Sequence, residues 1–274
     1  MDIALIQKVQ KVQIEIMDEI HNLCVANGVN YYIIGGTALG AIRHKGFIPW
    51  DIDIDIAMQR KDYDKFIRET SKLLPAKYRC VSWESDENYF PPHACVSLVG
   101  STITQKDDHL NPHLKRYGIF VDIFPLDKCP ESDAERAKQA ESIQKMHILK
   151  SRKMAIIDSS NSLPVRFAKK AISLCMLPVS LKLLNAKLDK IFRLYDDMKN
   201  ATCLCSMASH YSYKKQCMPR EVYGTPKLIE FEGREYYAPE MIDDYLTRIY
   251  GNYMQEPSEA DKKFIMDFFT DAKW

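Results

Sequence analysis

The residues best suited to chemistry are Asp51, Asp53 and Asp55, which alternate with isoleucines. A period of two is typical of a β-strand, so the pattern over residues 51–58 predicts a strand with all three carboxylates on one face. Carboxylates on one face repel one another, and a divalent cation relieves that repulsion. The alternatives are a solvated strand face and a calcium loop, and the loop is disfavoured because Ile56 stands where it needs glycine.

A second candidate site lies just before this segment, where an apolar run over residues 31–34 leads through Gly35, Gly36 and Thr37 into a helical pattern. The start of a helix offers free backbone N–H groups and the positive end of the helix dipole, which suits a phosphate group. Taken alone, a Gly-Gly pair is more often an ordinary tight turn. Its place one short connection before the aspartates favours a phosphate site.

Three basic residues, Arg43, His44 and Lys45, stand between the glycine pair and the aspartates. Their side chains are suited to pairing with diphosphate oxygens. The alternative interpretation is a group of solvent-facing charges.

A further carboxylate, Asp122, interrupts an apolar strand predicted over residues 118–124. A buried aspartate without a partner is costly, so Asp122 is expected to face one, and a bound metal ion is the simplest candidate. Asp127 follows Pro125 and is predicted to be a cap or turn residue.

The elements that position these residues follow from hydrophobic spacing. Apolar residues at three- and four-residue spacing predict an opening helix that ends at Gly28. The remaining predictions are helices over 62–74 and 241–250, strands over 78–83 and 94–99, helical structure over 132–195 broken at Pro164 and Pro178, and a hairpin over 228–237 turning at Glu232-Gly233. This pattern predicts an α+β fold with a mixed sheet, with a soft boundary between residues 1–130 and a mainly helical region over 131–274 that packs back on them.

Composition limits the possible partners and compartments. The 274 residues carry 38 basic and 37 acidic side chains, a net charge of +1, which gives no general electrostatic case for binding nucleic acid. The eight cysteines form no CxxC pair, and Cys203 and Cys205, with only His210 nearby, predict no zinc site. The N-terminal segment lacks a signal-peptide core, so we expect a cytoplasmic protein with reduced thiols and no membrane span.

An amphipathic, locally basic helix is indicated between Leu163 and Leu184. Its predicted apolar stripe consists of Val165, Ala168, Ile172 and Met176. Such stripes most often pack on the protein's own core, and the alternative is peripheral docking on a membrane surface.

Several motifs in order resemble the LicD family of phosphocholine and phosphopolyol transferases. The motifs are GGTALGAIRHKGFIPWDIDIDIAM, DYDKF, GIFVDIFPLD and YLTRIYGNYMQEP. The resemblance covers most of the chain and implies a nucleotidyltransferase-like fold. Family members commonly read W-D-D-D-I-D where this chain has Ile52 in place of one aspartate, and strand alternation predicts that Ile52 points away from the acidic face.

The resemblance also implies roles for the candidate residues. Asp53, Asp55 and Asp122 correspond to the metal-binding and catalytic carboxylates, which would hold Mg²⁺ or Mn²⁺. Residues that contact phosphate or substrate would be Gly35, Gly36, Thr37, Arg43, His44, Lys45 and Asp51.

The implied reaction transfers a substituted phosphate from a CDP-linked donor to a hydroxyl group of a cell-surface glycan, such as a lipopolysaccharide or teichoic acid, or of its lipid-linked precursor, and releases CMP. Three alternatives remain open at this point: an NTP-dependent nucleotidyltransferase, a D-x-D glycosyltransferase and a non-catalytic relative that binds a glycan or partner. Retention of all three carboxylates argues against the last.

Overall fold

The computed structural model describes residues 2–114, 117–259, 262 and 269–274. The helices are α1 (Ile3–Asn27), α2 (Gly35–His44), α3 (Arg60–Arg68), α4 (Asp133–Met154), α5 (Leu163–Cys175), α6 (Leu181–Phe192), α7 (Tyr213–Gln216), α8 (Arg220–Tyr223) and α9 (Ile242–Tyr250). The strands are β1 (Tyr32–Ile33), β2 (Asp55–Gln59), β3 (Tyr78–Val81), β4 (Ala94–Leu98), β5 (Thr102–Gln105), β6 (Phe120–Cys129), β7 (Cys203–Cys205), β8 (Cys217–Pro219), β9 (Lys227–Phe231), β10 (Arg234–Ala238) and β11 (Phe269–Lys273). The predicted α+β class with a mixed sheet is confirmed.

The opening helix α1 has a local signal at each end. The Asp2 side chain accepts a hydrogen bond from the Leu5 N–H at 2.7 Å, and Gly28 ends the helix in the left-handed conformation. The predicted helix is confirmed: Val9, Val12, Ile16 and Ile20 of its apolar stripe are buried, whereas Leu5 and Leu23 at the two ends of the stripe are only half-buried.

The central sheet has the strand order β1-β2-β6-β4-β3. Strand β6 runs parallel to β2 and antiparallel to β4, and its final residues pair with β7, which in turn pairs with β8. Strand β6 therefore connects the acidic segment to the cysteine-rich strands of the second half of the chain. One hydrophobic cluster includes residues from both halves, from Ile6 to Ala272.

Two strand predictions had the wrong length. The strand predicted over residues 51–58 begins only at Asp55, because the N–H of Asp51 donates to the Ile48 carbonyl in a turn and the Asp51 carboxylate accepts from the Ile52 N–H. Burial still alternates, and Ile52 is buried, 4% exposed, as strand alternation predicted.

The strand predicted over residues 118–124 continues to Cys129 in the structure, because pairing with β2 and then β7 holds it on both sides of Pro125. Asp127 is therefore a fully buried strand residue and not the predicted cap or turn.

Most elements of the second half agree with the sequence pattern. The hairpin of β9 and β10 and the helix α9 are confirmed. The pair formed by β5 and β11 had no counterpart among the predictions. Pro164, predicted to break a helix, lies in the first turn of α5, where its missing N–H costs nothing.

Helix α5 buries none of its residues. Within the described part of the chain, no helix combines the length and the apolar character needed to span a bilayer.

Candidate active site

The two glycines at the start of α2 lie directly against two of the aspartates. A Cβ atom added to Gly35 would stand 3.1 Å from Asp55 Oδ2, and one added to Gly36 would stand 2.7 Å from Asp51 Oδ2. Gly35 also has a φ of +55°, a conformation that side-chain-bearing residues rarely adopt. Glycine is therefore required here for close approach of the helix start to the carboxylates.

Asp55 and Asp122 lie side by side on neighbouring strands. They are paired in the parallel register of β2 and β6, and paired residues of adjacent strands point to the same face. The Asp55 N–H donates to Thr37 Oγ1 at 2.8 Å, so Thr37 fixes the start of β2 against α2. The structure thus brings a carboxylate of the acidic segment next to the carboxylate of the later strand.

The electrostatics of this cluster favour a cation. Burial raises the pKa of Asp51 to about 6. Burial and the charges of neighbouring aspartates hold the pKa values of Asp53 and Asp55 well above their ordinary value. Such shifts mark a site where negative charge is insufficiently compensated by the protein.

The donor set suits a hard divalent ion. Carboxylate oxygens are the ligands that Mg²⁺ and Mn²⁺ prefer, and the buried Asp53 Oδ1 has no hydrogen-bond partner. The aspartate oxygens do not converge on one point. Among the described residues, the only group of three His, Cys, Asp or Glu ligand atoms within 4.8 Å of one another consists of cysteines. The residues present fit a bound cation by their chemistry and by the unpaired oxygen.

His93 is a site residue that the sequence did not reveal. Its Nε2 lies 3.2 Å from Asp122 Oδ2, and its ring stacks on Phe124 with the centroids 4.2 Å apart. His93 ends the loop of residues 82–93, which enters β4. The loop is held by the Asn185 amide, which donates to the Tyr89 carbonyl, and by Lys150 Nζ, which donates to the Phe90 carbonyl, both at 2.7 Å.

A cavity of about 430 Å³ opens in front of the glycine pair. The part of its lining that comes from the first 60 residues consists of Gly35, Gly36, Leu39, Arg43, Ile48, Trp50, Asp51, Asp53 and Asp55. Arg43 is therefore at the cavity, and its Nη2 lies 3.9 Å from Glu256 Oε1. Thr37, His44, Lys45 and Asp122 are not among the lining residues.

The opposite wall of the cavity comes from the second half of the chain. Its residues are His210, Tyr211, Tyr250, Asn252, Tyr253, Gln255 and Pro257. Tyr245 is not among the lining residues, but its hydroxyl accepts a hydrogen bond from the Gly35 N–H at 3.0 Å. Five of these positions, together with Tyr245, fall within the motif YLTRIYGNYMQEP, so the sequence signal was present although no role was assigned to it.

Comparison with known proteins points to one family. The model of the LicD/FKTN/FKRP nucleotidyltransferase domain matches residues 28–133. The lipopolysaccharide cholinephosphotransferase LicD of Haemophilus influenzae is 29% identical over 260 residues, 93% of each chain. The ribitol 5-phosphate transferases FKRP of mouse and human are each 49% identical over 37 residues, 14% of this chain and 8% of theirs.

Proposed function

Because residues 28–133 match the model of the LicD/FKTN/FKRP nucleotidyltransferase domain, we propose that this protein transfers a substituted phosphate, such as phosphocholine, from a CDP-linked donor to a glycan hydroxyl group and releases CMP. The observation that carries the proposal is the register of Asp55 and Asp122 beside the glycine start of α2. The named activities of the similar proteins, cholinephosphate and ribitol phosphate transfer, support it.

Asp53, Asp55 and Asp122 would hold Mg²⁺ or Mn²⁺. When bound, such an ion neutralises diphosphate charge and lowers the pKa of the acceptor hydroxyl. Asp122 would accept the hydroxyl proton, and His93 would orient it through the contact with Oδ2.

The donor's diphosphate would lie at the start of α2. Gly36 lines the cavity from the first helical turn, where backbone N–H groups have no acceptor within the helix. Arg43 lines the same cavity and would stabilise the charge of the departing CMP. A volume of about 430 Å³ lies within the range of small-ligand sites.

Thermal protection tests the donor assignment. With Mg²⁺ present, CDP-choline, CDP-ribitol or CDP-glycerol should raise the melting temperature, whereas CTP and UDP-glucose should have little effect. The shift should be lost in Asp53→Asn and kept in Asp133→Asn, whose side chain is 99% exposed on α4. Protection by the NTP or the UDP-sugar alone, or by none of the CDP compounds, would contradict the proposal.

The acceptor side of the proposal concerns helix α5, for which we propose peripheral docking on an anionic membrane surface that presents a lipid-linked glycan at the cytoplasmic face. Three large apolar side chains fall on one face of α5 and are strongly exposed: Leu163 at 68%, Phe167 at 72% and Leu174 at 65%. Lys170 lies on the same face. Apolar residues with a base among them are typical of helices that lie in a lipid interface.

This exposed face is not the stripe predicted from the sequence. Met176 of that stripe packs against the core. Two of the three basic residues of α5 donate hydrogen bonds to nearby backbone: Arg166 to the carbonyls of Asn161 and Ser159, and Lys169 to that of Ile156. Lys170 is therefore the base to substitute.

Liposome co-sedimentation tests the docking. Binding should require anionic lipid and should fall in Lys170→Glu and in Phe167→Ser, while Leu194→Ser, equally a loss of an exposed apolar side chain, should leave it unchanged. Absence of binding, or binding unaffected by the α5 variants, would overturn the docking proposal. Neither result would contradict the proposed transfer reaction.

A further inference from the structure

Three cysteines from three strands meet at the end of β6 far from Asp122. The sulfur atoms of Cys129, Cys203 and Cys217 all lie within 4.8 Å of one another. Cys129 stands opposite Cys203 in the pairing of β6 with β7, and Cys217 enters from β8. Because these three cysteines are far apart in the sequence, the spacing of Cys203 and Cys205 did not predict the cluster.

The surroundings of the cysteine cluster favour thiolates. Arg136 Nη2 lies 3.6 Å from Cys203 Sγ. The positive charge of this guanidinium stabilises a thiolate, which is the form of cysteine that binds metal ions.

A disulfide explains the cluster less well than a metal ion. Strand β7 lies between β6 and β8, and two strand spacings in a flat sheet are about 9.6 Å. A disulfide needs Cα atoms about 4.4–6.8 Å apart. Cys129 Sγ and Cys217 Sγ reach over β7 to within 3.1 Å of each other. Tetrahedral zinc with Zn–S bonds of about 2.3 Å places its sulfurs about 3.8 Å apart. A small rotation of the side chains would increase the present distance of 3.1 Å to that value.

We infer that Cys129, Cys203 and Cys217 form a zinc site, with a solvent molecule as the fourth ligand on the side of the half-buried Cys203. Binding replaces three S–H protons, which pass to solvent, by three Zn–S bonds.

The site has a structural consequence for the catalytic cavity. Residues 206–216 connect β7 to β8 and carry His210 and Tyr211, which line that cavity. A zinc ion held by both strands and by β6 anchors the two ends of this connection. The inferred ion is structural, and its presence does not depend on which donor the cavity accepts.

Elemental analysis of protein purified without chelators tests the inference. We expect about one zinc per chain. Each of Cys129→Ser, Cys203→Ser and Cys217→Ser should lose most of that metal, whereas Cys175→Ser, on the exposed α5, should retain it. Cobalt substituted for zinc should give the near-ultraviolet absorption of thiolate-to-cobalt charge transfer in the wild type.

A second measurement keeps the inference testable if the serine variants fail to fold. Removing zinc from the wild-type protein with a chelator should lower its melting temperature, and adding zinc back should restore it. Wild-type protein that carries no zinc and takes up no cobalt would overturn the inference. So would a Cys129–Cys217 disulfide, seen as a loss of two hydrogens in the intact mass.

Discussion

Strand β6 carries two aspartates in opposite circumstances. Asp127 is fully buried, yet its two oxygens accept hydrogen bonds from Arg60 Nε and Nη2 at 2.6 and 2.7 Å. Asp122, nearer the start of the strand, faces His93 and lies beside the aspartates of the acidic segment. Burial alone therefore does not distinguish Asp122, the proposed functional carboxylate, from Asp127. The two differ in how far neighbouring groups compensate their charge.

The compensated end of β6 is part of a larger ion-pair network. Arg60 also donates to Asp189, and Arg193 pairs with both Asp189 and Asp64. Each buried charge there has a partner of opposite sign, as a stable interior requires. At the Asp122 end, burial and the charges of neighbouring aspartates raise the pKa values of Asp53 and Asp55, which costs stability and is typical of a cation site.

Removing a carboxylate from the uncompensated end should have the largest effect. Asp55→Asn and Asp122→Asn should each reduce transfer at least about 100-fold, because several kcal/mol of charge stabilisation is lost and each 1.4 kcal/mol is tenfold in rate. Near-wild-type turnover with Mg²⁺ in either variant would refute the assignment.

The same substitution should not destabilise the metal-free protein. The pKa of Asp55 is higher in the folded protein than in the unfolded chain. The contribution of Asp55 to stability is therefore greatest below its unfolded-state pKa and is lost as the pH rises through its folded-state pKa. Metal-free Asp55→Asn should therefore melt at the same temperature as the wild type or higher at pH 7, and its stability should fall less between pH 4 and 7. Calorimetry across this range measures both.

At the compensated end, removing a carboxylate should lower stability and leave transfer unchanged. Asp127→Asn leaves Arg60 buried without its partner, so the free energy of unfolding should fall by about 3–5 kcal/mol. Transfer per folded molecule should remain close to that of the wild type. Replacing both members, Asp127→Leu with Arg60→Met, should recover much of the stability, and failure to do so would show that the ion pair is not the cause.

The sequence could predict those site residues that belong to a short local pattern. The glycine pair, the alternation of Asp51, Asp53 and Asp55 with isoleucines, and one carboxylate in an apolar run are all patterns within a few residues. Even there, alternation overestimated the strand, because a turn at Asp51 holds the segment before β2 out of the ladder.

Partners that are distant in the chain left no such signal. Arg60 and Asp127 are 67 residues apart, and Gly35 and Tyr245 are 210 apart. Pro125 suggested that a strand ends, whereas pairing with β7 continues it. His93 is one histidine in a loop, and only the placement of that loop against β6 reveals its partner. These features depend on tertiary packing, which overrides local propensity.

His93 provides a smaller test of the uncompensated end. His93→Ala should lower kcat about 10-fold, since groups that orient a catalytic or metal-binding carboxylate typically contribute 10- to 100-fold. The KM for the donor should change little, because His93 does not line the cavity of the glycine pair. His93→Gln, which keeps a donor near Asp122, should recover part of the rate. A loss confined to KM would show that His93 acts on donor binding instead.

The smallest expected effect concerns Lys150, a buried base that contacts the loop of residues 82–93. Lys150 is fully buried and donates to the Phe90 carbonyl, whereas Arg60 is matched by carboxylates. Burial lowers the pKa of Lys150 from 10.5 to about 7. The unfolded chain therefore binds more protons than the folded one between these values, and Lys150 costs stability that is regained as pH rises from 7 toward 10.

Lys150→Met removes this titration. The stability advantage of Lys150→Met over the wild type should be largest at pH 7 and below, and should shrink by up to about 1.4 kcal/mol per pH unit above pH 7. Taking the difference between the two proteins cancels the titration of the buried cysteines, which both share. Denaturant unfolding at pH 6, 7, 8 and 9 measures it. A gap that stays constant with pH would mean that Lys150 remains charged in the folded protein.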